Sequence, residues 1–476
     1  MELQEEQHRK TKIVCTLGPA SESIGKIKSL IDAGADVFRL NFSHGDHESH
    51  LREIDSIRAL EVNAGRKFAI IQDLQGPKIR VGEMDGIVQL TTGEVVTLTS
   101  EKIKGNGHVI PVTYEGLMDD VVAGDRILMD DGLLELKAKS VSTKSVDCVV
   151  MNGGPLSSHK GINLPGVKIS IPSLTEKDRL DLEFGVKHDV DYIALSFVRR
   201  ASDVVELREL LDKMEGHQGI ISKIEKPEAI EEIDSIIEAS DSVMVARGDL
   251  GVEVPIERVP ILQKTIIRKC NEYGKPVITA TQMLDSMIRE PRPTRAEATD
   301  VANAVFDGTD AVMLSGETSA GSFPVESVKT MVSIVKAAES HLHLAERKLN
   351  YKSVRDDFTD SIAEAACSLA DYVDASFIIS ITNTGTTARA LSKYRPQVPI
   401  YAFTESVGVV RKLMLLWGVV PIEVAQLSDT DAMLAQVSSI LKEKSLASAG
   451  DTYVLTAGTP LLERGTTNTL KIERVM

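Results

Sequence analysis

Residues 219–257 read GIISKIEKPEAIEEIDSIIEASDSVMVARGDLGVEVPIE. Two short apolar runs in this stretch each end on charge. Lys223 and Glu225 close the first, IISKIE, and Asp249 closes the second, VMVARGD, inside a Gly-Asp-Leu-Gly turn. Two carboxylates brought together offer the hard oxygen ligands that a divalent ion prefers. A neighbouring ammonium can neutralise charge on a group in transfer. The pattern is that of a site for phosphorylated anions.

Working outward, the same kind of run recurs. TKIVCTL, DVFRLNF, KFAIIQD, DYIALSF, GIISKIE, DSVMVAR, PVITATQ and DAVMLS are short, apolar and β-branched. Most precede a stretch with apolar residues at helical spacing, such as SDVVELRELLDKM or PVESVKTMVSIVKAA. Runs this apolar suit strands buried on both faces of a parallel sheet. Eight such units are the number that closes a (β/α)₈ barrel. In that fold the polar residues at strand C-terminal ends share one mouth. Here they are Arg39 and Asn41, Asp73, Ser196, Lys223 and Glu225, Arg247 and Asp249, Thr281 and Gln282, and Ser315 and Glu317.

One connection breaks the rhythm. About ninety residues separate KFAIIQD from the helical stretch LTEKDRLDLEFGVKH. Short alternating runs and turns fill the interval, which predicts a small antiparallel β-barrel domain inserted in a barrel loop. Past residue 350 an α/β alternation restarts with SFIISIT, VPIYAFT, GVVPIEV and DTYVLTAG. The expected division is a catalytic barrel over 1–75 and 170–345, an inserted lid over 76–169 and a C-terminal α/β regulatory domain over 346–476.

Composition narrows the function classes. A net charge of −16 argues against a nucleic-acid partner. No apolar run is long enough to span a bilayer. The polar start MELQEEQHRKTK is unlike a secretory signal. The cysteines at 15, 148, 270 and 367 are far apart, which points to a reducing cytoplasm.

RLNFSHG (39–45), QGPKIR, KGINLPG, SKIE, MVARGDLGVE, TATQMLDSM, PTRAE and MLSGET closely resemble pyruvate kinase in order and spacing. The resemblance implies phosphoryl transfer from phosphoenolpyruvate to ADP, giving pyruvate and ATP, in a cytoplasmic homotetramer. It makes Glu225 and Asp249 the ligands of Mg²⁺ (or Mn²⁺) and Lys223 the cation that stabilises the phosphoryl in flight. Arg39 would grip the phosphate, while Gly248, Asp249, Thr281 and Ser196 would line the substrate site. Thr281 is tied to protonation of the enolpyruvate carbon, through a water relay involving Ser315. Asn41, His44, Arg80 and Lys160 would contact the nucleotide.

The chain departs from the family at the end of the third strand. The usual Asp-Thr-Lys-Gly-Pro-Glu-Ile-Arg is here Asp73-Leu74-Gln75-Gly76-Pro77-Lys78-Ile79-Arg80. Lys78 reverses the charge of the usual glutamate, so its ammonium, near Asn41, Ser43 and Asp73, would replace the monovalent cation. Members of the family with this lysine resemble one another in not requiring K⁺. In the last domain, Thr382, Thr384, Gly385, Thr386 and Thr387 lead a strand into a helix and resemble the place of the family's effector site. Arg464 would complete it. Asn383 and Thr386 stand where bisphosphate-responsive members carry Lys and Arg, which leaves a phosphorylated monophosphate effector, or none.

Overall fold

A computed structural model describes residues 9–342, 358–425, 430–458 and 467–475. Eight parallel strands close a barrel in the order of the chain: β1 (Lys12–Thr16), β2 (Val37–Asn41), β3 (Ala69–Asp73), β4 (Tyr192–Leu195), β5 (Gly219–Ile224), β6 (Ser242–Ala246), β7 (Val277–Ala280) and β8 (Ala311–Leu314). β8 pairs back onto β1, with Lys12 opposite Ala311.

The reason these runs lack polar alternation is visible in their packing. Ile13, Phe38, Ile70, Ile193, Ile220 and Val243 point outward into the layer shared with the helices. Their neighbours Val14, Val37, Ala69, Ile71, Ala194, Ile221 and Met244 fill the barrel interior. Both faces are dry, so both select apolar side chains. Capping boxes start three of the surrounding helices, at Asp46 with Ser49, Thr175 with Asp178, and Thr294 with Glu297.

The segment between β3 and β4 holds a six-stranded sheet and a two-stranded ribbon. This corrects the expectation of a purely antiparallel barrel. Val95–Thr99 and Val109–Pro111 run parallel, because residues 100–108 carry the chain back to the same end of the sheet instead of turning a hairpin. The segment has its own core around Val96, Leu98, Ile127, Leu136 and Val150. It meets the barrel through Asn163, whose amide donates to Glu253 at 2.9 Å, and Glu253 also pairs with Lys226 at 2.6 Å.

The C-terminal sheet has four parallel strands, Phe377–Ile381, Ile400–Thr404, Val419–Glu423 and Thr452–Ala457. A fifth, Thr469–Arg474, adds antiparallel to Thr452–Ala457 and was not anticipated. As a half-exposed edge strand it lacks the continuous apolar run that marks the others. Met414 and Leu415 join the interior cluster at the N-terminal end of the barrel. Tyr192 donates its hydroxyl to the Lys412 carbonyl and Lys12 donates to that of Val419, so the C-terminal unit closes the end opposite the mouth. No helix of the described residues is long and apolar enough to cross a membrane.

Candidate active site

The C-terminal strand ends converge as a charged cluster. Lys223, on β5, is buried, and its Nζ lies 2.9 Å from Glu225 Oε1 and 3.2 Å from Asp73 Oδ1. It donates to Ser196 Oγ at 2.8 Å, and Ser196 in turn donates to the Leu74 carbonyl. Arg39 Nε donates to the other oxygen of Asp73 at 2.6 Å, and its Nη1 reaches Thr16 Oγ1 at 3.1 Å. Burial works against charge on Lys223, but Asp73 and then Glu225 hold the ammonium well above its ordinary range. Burial likewise opposes the Asp73 carboxylate, yet Lys223 and Arg39 hold it below its usual range.

Glu225 is buried as well. Burial pushes its carboxyl up, Lys223 pulls it down, and the nearby Asp249 carboxylate pushes it up again. Its Oε2 accepts the Phe197 N–H at 2.7 Å, and Oε1 faces the Lys223 ammonium at 2.9 Å. Asp249 lies close enough to act electrostatically on both Lys223 and Glu225. Among the described residues no three or more His, Cys, Asp or Glu side chains form a metal cage. Two carboxylates fit a dication that draws its remaining ligands from substrate and water.

Thr281, one residue past β7, lies in the left-handed region at φ +67°, and Gln282 follows at +53°. Such backbone is uncommon for a β-branched residue and clusters at functional sites. Arg247 and Gly248 hold it there, and Glu317 braces the loop that follows. Arg247 donates to the Ala280 and Thr281 carbonyls at 3.2 and 2.7 Å, and it pairs with Asp300. Glu317 accepts the Leu284 and Ser315 N–H groups. Thr281 Oγ1 accepts the Gly248 N–H at 2.7 Å and donates to the Ala280 carbonyl. The N–H of Gly248, which the resemblance puts at the substrate site, is therefore already engaged by Thr281. Ser315 Oγ is buried with no hydrogen-bond partner.

Lys78 gains a partner that the sequence did not name. Its Nζ stands 3.6 Å from Asp249 Oδ1. Arg39 and Lys223 already occupy the Asp73 carboxylate, so Asp249 is the counter-charge left to Lys78. Its ammonium still borders the turn after β2. Desolvation first, then Arg80, Lys78 and Arg39, hold the solvent-facing His44 imidazole below its ordinary range. Within that turn Asn41 Oδ1 accepts the Ser43 N–H. Arg80 reaches the His159 carbonyl, and Lys160 pairs with Asp130 at 2.8 Å, so both basic groups stand at the edge of the inserted segment.

Two contributors were not read from the sequence. Phe197, at φ +55°, turns its N–H onto Glu225, and a backbone donor leaves no compositional trace. Asp178 Oδ1 accepts the Gly76 N–H at 3.0 Å, and its place in the Thr175–Asp178 capping pattern was the available signal. Gly76, at φ +67°, is required because a Cβ there would lie 2.9 Å from Ser196 Cβ.

In the C-terminal unit the threonines are partly committed to one another. Thr382 Oγ1 accepts the Gly385 N–H, and Thr387 shares a hydrogen bond with Thr467. Thr384 and Thr386 bond each other at the surface, 2.9 Å apart. Arg464 lies outside the described residues.

Comparison with known proteins bears on the whole chain. Residues 8–328 match the family model for the pyruvate kinase barrel domain, and 360–473 that for the pyruvate kinase alpha/beta domain. A pyruvate kinase from Geobacillus stearothermophilus is 50% identical over 469 residues, 98% of this chain and 80% of the relative. One from Staphylococcus aureus (strain MRSA252) is 48% identical over 474 residues, with the same shares covered. The crystal structure of a pyruvate kinase from Cryptosporidium parvum superposes with a TM-score of 0.93 at 39% identity, covering 99% of this chain and 97% of that one. With the barrel and the C-terminal unit both matched, and with a lysine and two carboxylates gathered at the barrel mouth, the chain belongs to the pyruvate kinase family of phosphotransferases.

Proposed function

We propose that the chain transfers the phosphoryl group of phosphoenolpyruvate to ADP, with Mg²⁺ (or Mn²⁺) on Glu225 and Asp249 and with no need for K⁺. The observation that carries this reading is the buried Lys223 ammonium, held between Asp73 and Glu225 with Ser196 beneath it. Phosphoryl transfer runs through a loose transition state, so catalysis is mostly positioning and charge stabilisation. Lys223 is held rigid and charged for that purpose. Arg39 spends Nε and Nη1 on Asp73 and Thr16, leaving the Nη2 edge of its fork for a phosphate oxygen. The dication, when bound, would neutralise charge on substrate oxygens.

A threonine hydroxyl is a weak acid, and that of Thr281 already donates to Ala280. Its role is to hold Gly248 and shape the turn. The Ser315 hydroxyl, buried and unpartnered, would pass a proton, through water, toward the enolpyruvate carbon. Asn41, His44, Arg80 and Lys160 would receive the nucleotide, the last two from the edge of the inserted segment. Closure of that segment, taken as 76–169, would exclude water from the mouth. The barrel is taken as 1–75 and 170–345, and the C-terminal domain as 346–476. A coupled assay for pyruvate from phosphoenolpyruvate, ADP and Mg²⁺ tests the reaction, and no pyruvate formation would refute it.

Lys78 supports K⁺ independence by supplying a fixed positive charge at the mouth, now set against Asp249. Lys78→Glu should leave little activity in K⁺-free buffer and recover it on addition of KCl. Strong K⁺ activation of the unmodified enzyme would remove the proposal. The Thr382–Thr387 turn would take a monophosphate effector through the exposed Thr384 and Thr386, in a cytoplasmic homotetramer. Titration of phosphorylated metabolites against substrate affinity, and sedimentation velocity, test those two statements.

A further inference from the structure

The turn that carries Asn41, Ser43 and His44 is held by a pair of buried side chains, His50 and Glu53. Helix His47–Ala64 begins directly after it, capped reciprocally by Asp46 and Ser49. One turn into that helix, His50 is 7% exposed and its ring stacks on Phe42, with centroids 4.2 Å apart. Its Nε2 lies 2.9 Å from the His44 carbonyl oxygen, and its Nδ1 lies 2.9 Å from Glu53 Oε2. Glu53 is 5% exposed. Gly45, at φ +73°, lets the turn approach this closely, since a Cβ there would stand 3.2 Å from His50 Nε2. On the other side, Lys177 Nζ donates to the Phe42 carbonyl at 2.7 Å and pairs with Asp181, which also receives His47.

The hydrogen count makes the pair specific. A carbonyl oxygen only accepts, so Nε2 must carry the hydrogen it gives to His44. A carboxylate also only accepts, so the bond at Nδ1 needs a second proton, shared between that nitrogen and Glu53. A burial-only role would be met by any side chain of similar shape. This arrangement instead fixes where the His44 carbonyl, and with it the imidazole beside Arg80 and Lys78, stands.

We propose that Glu53 and His50 act as positioning residues for nucleotide binding, by clamping the 42–45 turn through the His44 carbonyl. The proposal rests on the reading above that this turn receives the nucleoside diphosphate. Misplacing a binding group by a fraction of an ångström to an ångström is costly, so the effect should be large for one substrate only.

The test is steady-state kinetics on the full-length enzyme. Glu53→Leu and His50→Leu should raise KM for ADP about tenfold, with kcat and KM for phosphoenolpyruvate near their starting values. Glu53→Gln should restore KM for ADP to within about twofold, because its amide can donate to Nδ1 while Nε2–H still donates to His44. His44→Ala tests the underlying reading by raising KM for ADP. If His44→Ala raises that constant but the leucine variants do not, the clamp is refuted while the nucleotide reading stands. The clamp also fails if Glu53→Gln is as damaging as Glu53→Leu, or if both substrates lose affinity equally. If His44→Ala changes nothing, the nucleotide reading falls and the clamp with it.

Discussion

Lys223→Ala should lower kcat at saturating substrate by about 10²–10³-fold or more, the range seen when one preorganised charge-stabilising donor is removed from an active site. The reason lies in its surroundings. Lys223 is held charged between Asp73 and Glu225 in a buried mouth, where water cannot replace it. The variant should also lose stability, since two buried carboxylates are left with less compensation. Asp73 keeps Arg39, so Glu225 bears most of that loss. Turnover within tenfold of the parent, measured with pyruvate formation coupled to a reporter, would remove Lys223 from the transition state.

Arg395→Met should destabilise the fold by about 3–5 kcal/mol, the usual cost of stripping one partner from a buried ion pair. Arg395 leaves the C-terminal unit and grips Asp310 at the start of β8 with two nitrogens, at 2.7 and 3.0 Å. It also donates to Asn271 and to the Gly308 carbonyl, and its guanidinium lies 5.0 Å from the centroid of the Trp417 ring. Methionine fills the volume but leaves Asp310 buried and short of its cation. The first thermal transition should fall by more than about 5 °C. Arg395→Met combined with Asp310→Asn should cost less than the sum of the two singles, because the stranded charge is gone. Additive losses would show that the two groups do not act as a pair.

The barrel was legible because a parallel sheet dry on both faces writes itself as uninterrupted apolar runs, and eight of them were countable. The inserted segment was legible as β structure but not in its parallel pair, since strand direction depends on the path of residues 100–108. The final strand, Thr469–Arg474, was missed because an exposed edge needs few apolar residues. At the barrel mouth, the motifs named Lys223, Glu225, Asp249, Arg39 and Thr281 as candidates, and all five lie at the C-terminal strand ends.

Residue type and order were enough to establish which chemistry this chain carries, because charge and hydrogen-bonding capacity belong to the side chain itself. Which groups neutralise one another could not be read that way. That Asp73 is consumed by Arg39 and Lys223, that Lys78 consequently faces Asp249, and that the Gly248 N–H is closed off by Thr281 all depend on distances across different strands. Those distances, of about 3 Å between residues far apart in the chain, exist only once the barrel has closed.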